Sequence, residues 1–141
     1  MARNTRHSES TVLSSHENIK KAARKNLAFR KTICTGAFSE LVVISIPPMG
    51  ELGEGAHHNA DVIMFIVEGK GEVIFGDRKE VANKHDAILV TAGRLHNLRN
   101  IGHGDLKLFA VFSPPPSGAS ATVHKAGAKA AEEQLRYAWE Q

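Results

Sequence analysis

The 141-residue chain is poor in several features, and each shortage removes a class of protein. Its single cysteine, Cys34, excludes an intrachain disulfide and any zinc site built from several cysteines. No apolar run approaches the ~20 residues that a membrane-spanning helix needs, so we expect no membrane partner. The segment MARNTRHSESTVLSSHEN lacks the apolar core of a secretory signal, and we therefore expect a cytoplasmic location.

Aromatic residues are also scarce, at 6% of the chain, and the net charge is only +3. Much of the basic excess lies in the first 31 residues. Such a segment can bind nucleic acid through phosphate contacts, but no aromatic residues alternate with these charges to form a stacking platform. A solvated tail and helix face explain the charge more simply, so nucleic-acid binding is a minor alternative.

Short β-rich runs separated by turn residues make up the middle of the chain. The predicted strands are Phe29–Thr35, Ser39–Ile46, Val62–Val67, Glu72–Phe75, Lys79–Ala82, Ala87–Val90, His96–Asn100 and Leu106–Phe112. The turns between them recur at intervals typical of an all-β sandwich or barrel. These connections are too short for crossover helices, which disfavours a doubly wound α/β fold.

The length fits one domain with an extension at each end. We expect residues 1–13 to be a disordered tail, and residues 14–116 to form a barrel with a leading helix. A capping box of Ser14 and Glu17 predicts that this helix begins there and ends near Asn26. Residues 117–141 are expected to be a helical extension. Its apolar stripe follows helical spacing through Ala131, Leu135, Ala138 and Trp139.

Two of the eight histidines, His57 and His96, lie near the starts of predicted strands. His57 follows the glycine-rich segment GELGEGA, and His96 follows the turn TAGRL. Neutral imidazole binds divalent metals, so this pair is a candidate metal or ligand site inside the barrel. The histidines at 58, 85 and 103 stand among loop residues, where a polar surface role is the simpler interpretation.

The segment around His96 resembles the second motif of the cupin superfamily, G-x5-P-x-G-x2-H-x3-N. Gly93, His96 and Asn100 match in place, whereas His85 stands for the first glycine and Thr91 for the proline. The resemblance implies an all-β cupin fold, a jelly-roll or double-stranded β-helix barrel, with a pocket at His96.

The first cupin motif, G-x5-H-x-H-x3-4-E-x6-G, is matched less completely. Gly69 ends it in a Glu-Gly-Lys-Gly hairpin, and its second histidine falls on His57 or His58. Val62 falls where a cupin has its glutamate ligand. Asp61 next to it could supply a carboxylate only if the strand pairing shifted, because adjacent strand residues point to opposite faces.

From residue 17 onward the chain resembles small single-domain bacterial cupins of type 2, often labelled mannose-6-phosphate isomerase-like. Their first motif typically runs H-x-x-x-D-Q, which His57 and Asp61 match while Val62 replaces the glutamine. The resemblance implies His57, Asp61 and His96 as metal ligands. We expect the ligand-binding lining to include Met64, Phe75, Asn100 and Phe109.

Two functions follow from this site. One is a metal-dependent enzyme, sugar isomerase-like or oxygenase-like, whose single divalent ion (Mn, Fe, Ni, Cu or Zn) polarises a carbonyl or hydroxyl. The other is a barrel that binds a small polar, sugar-like molecule and retains only a degenerate metal site. Valine cannot coordinate a metal, which favours the second. The sequence leaves open whether the protein is an enzyme.

Apolar surface on the two terminal segments predicts self-association. Small cupins resemble one another in pairing their barrels, and the leading helix and Trp139 offer surface for such a contact. We therefore expect a symmetric homodimer.

Overall fold

The computed structural model describes residues 14–116, which form one helix and eight strands. The elements are α1 Ile19–Lys25, β1 Arg30–Thr35, β2 Glu40–Ile46, β3 Asp61–Glu68, β4 Gly71–Phe75, β5 Arg78–Ala82, β6 Ala87–Val90, β7 Asn97–Asn100 and β8 Leu106–Ser113. Each strand end lies within one residue of its predicted position. The predictions for residues 1–13 and 117–141 fall outside the described residues.

The strands form two antiparallel sheets that enclose a common core. The larger sheet has the order β1-β2-β8-β3-β6, and the smaller has the order β5-β4-β7. Alternate residues of each strand point inward, as a pleated strand requires. On β3, for example, Val62, Met64 and Ile66 are buried in the core, whereas Ile63 is exposed on the outer face. The all-β barrel prediction is confirmed.

Helix α1 packs on the outer face of the five-stranded sheet. Ala23 is fully buried there against Val43 and Val67. The ammonium group of Lys107 on β8 donates to the carbonyl oxygen of Asn26 at the helix C-cap. This contact satisfies one of the carbonyl groups that a helix end leaves without an internal partner.

The start of α1 differs from the prediction. Asn18 is the N-cap, and its side-chain oxygen accepts a hydrogen bond of 3.0 Å from the backbone N–H of Lys21. Ser14 lies four residues before the cap and outside the helix. Asn and Ser are similarly favoured at the N-cap, so the sequence held two acceptable starts, and the capping-box prediction was wrong.

The hairpin between β3 and β4 turns at Gly69, as the motif predicts. Gly69 has a φ angle of +96°, and a Cβ atom there would lie 2.8 Å from the carbonyl oxygen of Asp105. Both the backbone conformation and the close approach therefore require glycine. Within residues 14–116, no helix is long and apolar enough to cross a membrane.

Candidate functional site

His96 is fixed immediately before β7 by its backbone and its ring. Its N–H donates to the carbonyl of Gly55 at 2.9 Å, and its own carbonyl accepts from the N–H of Gly55 at 3.0 Å. The ring Nδ1 lies 3.0 Å from the carbonyl oxygen of Arg94. Because a carbonyl only accepts, Nδ1 must carry the proton, and the lone pair of the neutral ring is on Nε2.

The side chain of His96 lies in the interior, with the residue 3% exposed. Burial lowers the pKa of His96 from its ordinary value, and this outweighs the opposite effect of the hydrogen bond to the carbonyl of Arg94. The imidazole is therefore neutral at pH 7, the form that accepts a hydrogen bond or binds a metal.

His57 reaches the same part of the barrel because the segment 50–57 runs antiparallel to β7. Leu52 donates to the carbonyl of Leu98 at 2.9 Å, and Gly93 donates to the carbonyl of His57 at 2.7 Å. The ring centroids of His57 and His96 lie 6.5 Å apart. The prediction that these two histidines are neighbours in the barrel agrees with this geometry.

Phe112 of β8 connects the histidines to a second polar group. Its ring makes an edge contact with the ring of His57, with 4.8 Å between centroids. The guanidinium carbon of Arg30 lies over the same ring, 5.6 Å from its centroid. Phe112 is therefore bordered by a cationic group and an imidazole, both donors of hydrogen bonds.

Arg30 forms a buried ion pair with Glu40, the first residue of β2. Nη2 of Arg30 lies 3.3 Å from Oε1 of Glu40, and the two side chains are only 5% and 7% exposed. The hydroxyl of Thr32 donates to Oε2 of the same carboxylate at 3.0 Å. Burial lowers the pKa of Arg30, and the carboxylate of Glu40 opposes that effect. The positive charge of Arg30 and the negative charge of Glu40 therefore compensate each other inside the barrel.

Phe75 is the last residue of β4. The β4–β7 ladder ends with the pair Ile74–Asn97, and Phe75 is paired on its other side with Arg78 of β5. The guanidinium carbons of Arg78 and Arg94 each lie 5.3 Å from the centroid of its ring. Phe75 is part of the core and is stacked by two cations.

The other predicted lining residues have different positions. Met64 is buried in the core, on the inner face of the barrel. Asn100 is buried, and its amide group donates to the carbonyls of Ile46 and Gly104 and accepts from the N–H of Gly102, each at 2.8 Å. These bonds join three parts of the chain, so Asn100 stabilises the loops around β7.

Phe109 does not line the barrel, contrary to the prediction. It lies on the outer face of the large sheet, stacked on Phe65 with 5.0 Å between ring centroids. Its neighbours on β8, Leu108 and Ala110, point into the core instead. The prediction was wrong because β8 is apolar on both faces, one covering the core and the other facing α1.

Asp61 also lies away from the histidine pair. It is exposed, and its carboxylate oxygen Oδ1 accepts from the backbone N–H of Ala92 at 2.9 Å. The register of β3 is regular there, with Val62 opposite Val90 and Phe112. Val62 therefore points inward, 2% exposed, and the shift that would turn Asp61 inward is absent.

The described side chains near His57 and His96 include few metal ligands. A cupin metal of the kind described above requires three or four nitrogen and oxygen ligands, leaving open positions for substrate. Within residues 14–116, no three His, Cys, Asp or Glu side chains come together in a way that could hold a metal ion. The described residues offer His57 and His96, and an apolar Val62 at the carboxylate position, so protein side chains alone supply too few ligands to hold a metal.

Two antiparallel sheets that enclose a common core are the architecture of the double-stranded β-helix proteins. The model of the cupin domain family matches residues 42–112, about half of the chain. The chain belongs to the cupin family, type 2, as the resemblance of the His96 segment implied.

The chain is similar to two further proteins and shares its fold with a third. The uncharacterized protein YrkC of Bacillus subtilis (strain 168) is 36% identical in an alignment of 126 positions that covers 82% of this chain and 66% of YrkC. The chain thus spans just under two thirds of that relative. The crystal structure of BH2720 from Bacillus halodurans has a TM-score of 0.74 at 31% identity, over 79% of this chain and 89% of BH2720. KdgF from Halomonas sp. shares the fold, with a TM-score of 0.57 at 21% identity, over 60% of this chain and 76% of KdgF.

Sequence reasoning missed Arg30, Glu40 and Phe112. Arg30 was counted with the basic residues of a solvated amino-terminal segment, but its side chain is buried. The sequence contained one signal of the buried carboxylate. Glu40 is separated by two and four residues from Val42 and Ile44, so it lies on the same apolar face of β2. A carboxylate on that face predicts a buried charge that needs a partner.

Proposed function

We propose that the barrel of this cupin binds a small polar, sugar-like molecule through its own side chains. The observation that carries this proposal is the row of polar groups around Phe112, which consists of the Arg30–Glu40 pair, His57 and His96. Small-molecule sites are mostly apolar with a few convergent polar groups, which is the composition found here. A hydroxylated ligand offers both donors and acceptors to such a row.

The charge balance of the site favours a neutral ligand over an anion. The charge of Arg30 is compensated by Glu40 at 3.3 Å. Burial lowers the pKa of His96, which keeps its ring uncharged at pH 7. A buried anion would need an uncompensated cation, whereas the hydroxyl groups of a polyol need only hydrogen-bond partners.

A metal-dependent enzyme is the second candidate, and a specific observation favours it. The ring centroids of His57 and His96 lie 6.5 Å apart, and two imidazoles this close could both contribute to one metal site. Water or substrate oxygens would have to supply the remaining ligands. A bound divalent ion would act as a Lewis acid on a carbonyl or hydroxyl of the substrate.

Ligand-dependent stabilisation separates the two candidates. The full chain is treated with EDTA, its metal content is measured by elemental analysis, and its melting temperature is recorded with neutral pentoses, hexoses and their acid derivatives. We expect a neutral sugar to raise the melting temperature without added metal, since a ligand that binds only the folded state stabilises it. His96→Ala should abolish this shift, and His58→Ala, a matched change at an exposed neighbour of His57, should preserve it.

Two outcomes would contradict the proposal. If no sugar changes the melting temperature of the wild type, the barrel is not a sugar-binding site. If stabilisation appears only after a divalent ion is restored and is lost in His96→Ala, the metal-dependent candidate is correct instead.

We also infer a cytoplasmic homodimer that does not act through nucleic acid. Apolar side chains exposed on the outer face of the large sheet, such as Ile63 and Leu89, support self-association. Light scattering of the full chain should give twice the mass of one chain, and a monomer mass would contradict the inference.

A further inference from the structure

A cavity lies outside the barrel, between α1 and the outer face of the large sheet. Its volume is about 300 Å³. The lining is formed by Ile19, Lys20, Phe65, Val67, His85 and Phe109. None of these residues belongs to the site described above, and the sheet itself separates the two.

The cavity is shaped for a flat apolar group. Phe65 and Phe109 stack in parallel, with 18° between their ring planes and 5.0 Å between their centroids. The ring of His85 is tilted by 35° against Phe65, at a centroid distance of 6.4 Å. An aromatic ligand can extend such a cluster by stacking or edge contacts.

The position of His85 is fixed by its backbone. Its φ angle is +78°, in the left-handed region that non-glycine residues rarely adopt. Its N–H donates to the carbonyl of Ile66 at 2.7 Å. The imidazole is therefore presented to the cavity from a defined turn, in place of the glycine that the cupin motif has there.

The charges around the cavity favour an anion. Lys20 contributes an ammonium group to the lining, and the same helix carries Lys21, Arg24 and Lys25. Of the acidic side chains at this end of the sheet, Glu68 is paired with Arg24 at 3.5 Å, and Asp86 accepts from the N–H of Asn83 at 2.7 Å. A carboxylate placed at Lys20 would lie beside a helix whose described side chains are rich in cations.

We propose that this cavity binds a small aromatic carboxylic acid, with the ring against Phe65 and Phe109 and the carboxylate at Lys20 and His85. The volume is at the lower end of the range of about 300–1,000 Å³ for small-molecule sites, which restricts the ligand to roughly one ring and its acid group. This inference is independent of the function proposed for the barrel.

Titration of the full-length, isotope-labelled protein with phenylacetate tests the proposal. Backbone amide signals in two-dimensional NMR should shift with saturation at the positions of Phe65, Val67 and His85. 2-Phenylethanol, which has the same ring without the charge, should bind more weakly. Lys20→Glu should weaken phenylacetate binding by about five-fold or more, the size of one favourable charge contact reversed. Lys21→Glu, the same change one residue further along the helix and outside the cavity lining, should change it less than two-fold.

Several results would overturn the proposal. They are the absence of saturable shifts, shifts confined to the barrel interior, or equal weakening by the two lysine variants. If Trp139→Ala shifts the same amide signals in the absence of phenylacetate, the cavity holds the chain's own carboxyl-terminal segment. If these signals depend on protein concentration, it holds a second copy. Either result refutes the proposal of a small-molecule ligand.

Discussion

Replacing Glu40 by Gln tests whether the polar row around Phe112 is in a water-excluded part of the barrel. The substitution keeps the shape of the side chain and removes its charge, so the guanidinium of Arg30 loses its carboxylate. The two side chains are 5% and 7% exposed, with 3.3 Å between Nη2 and Oε1. Breaking a buried pair from one side typically costs about 3–5 kcal/mol, because a buried charge is left uncompensated. We expect a loss near the lower bound, about 3 kcal/mol, since the amide oxygen of Gln still accepts a hydrogen bond.

The pair Arg78–Glu80 supplies a matched control. It is shorter, at 2.8 Å between Nε and Oε2, but its side chains are 63% and 53% exposed. Arg78 also lies over a phenylalanine ring, as Arg30 does. Exposed pairs are screened by water and are worth about 0–1 kcal/mol. Glu80→Gln should therefore cost less than about 1 kcal/mol, although its ion pair is the shorter one.

Urea denaturation followed by circular dichroism measures both free energies of unfolding. With a slope of about 1–3 kcal/mol per molar urea, Glu40→Gln should lower the midpoint by more than about 1 M, and Glu80→Gln by a few tenths. The double variant Arg30→Met, Glu40→Leu should recover much of the loss, because apolar replacement of a buried pair is often neutral. Equal losses for Glu40→Gln and Glu80→Gln would mean that the Arg30–Glu40 pair is solvated, and the burial argument for the site would fail.

Three further predictions concern the hairpin, the missing ligand and pH. Gly69→Ala should lower the free energy of unfolding, measured by urea denaturation, by about 3 kcal/mol, because it adds left-handed backbone strain and a contact with the carbonyl of Asp105. Gly76→Ala, at φ +64° with open space around it, should lower it by only about 1 kcal/mol, and equal losses would contradict the close approach at Gly69. Val62→Glu should destabilise the metal-free protein, and added Zn²⁺ or Ni²⁺ should raise the melting temperature of this variant more than that of the wild type. An equal rise in both proteins would mean that residue 62 does not face the histidines. Because burial lowers the pKa of His96 below 6.5, the unfolded chain binds more protons than the folded chain in mild acid, and the free energy of unfolding should fall as the pH drops below about 6.5. His96→Gln should flatten this pH dependence, and an unchanged slope in the variant would refute the assignment to His96.

The strand positions could be predicted because they depend on local chemistry. Alternating apolar residues and the turn residues between them predicted the two ends of every strand in residues 14–116 to within one residue. The resemblance around His96 added the family, since Gly93 and His96 keep the spacing of the turn that starts β7.

The candidate site could be predicted only in part because it depends on register and on which face of a strand is covered. Arg30 and Glu40 lie on the paired strands β1 and β2, where their side chains form an ion pair. This pairing contains a bulge between Thr32 and Cys34 that the sequence does not predict. Phe109 was assigned to the barrel because β8 has apolar residues on both faces. Only the packing of α1 on the sheet shows that one of these faces is the outer one.

The backbone contacts of the two histidines hold their positions in the barrel without a metal ion. Gly55 and His96 exchange two backbone hydrogen bonds, and Gly93 donates to the carbonyl of His57, so the barrel itself orients both residues. No coordination bond is needed to hold this arrangement, in contrast to small metal domains whose folding depends on the ion. An apolar Val62 at the carboxylate position is therefore compatible with this arrangement of the imidazoles. In the function proposed above, the two imidazoles would serve a hydroxylated ligand as hydrogen-bond partners.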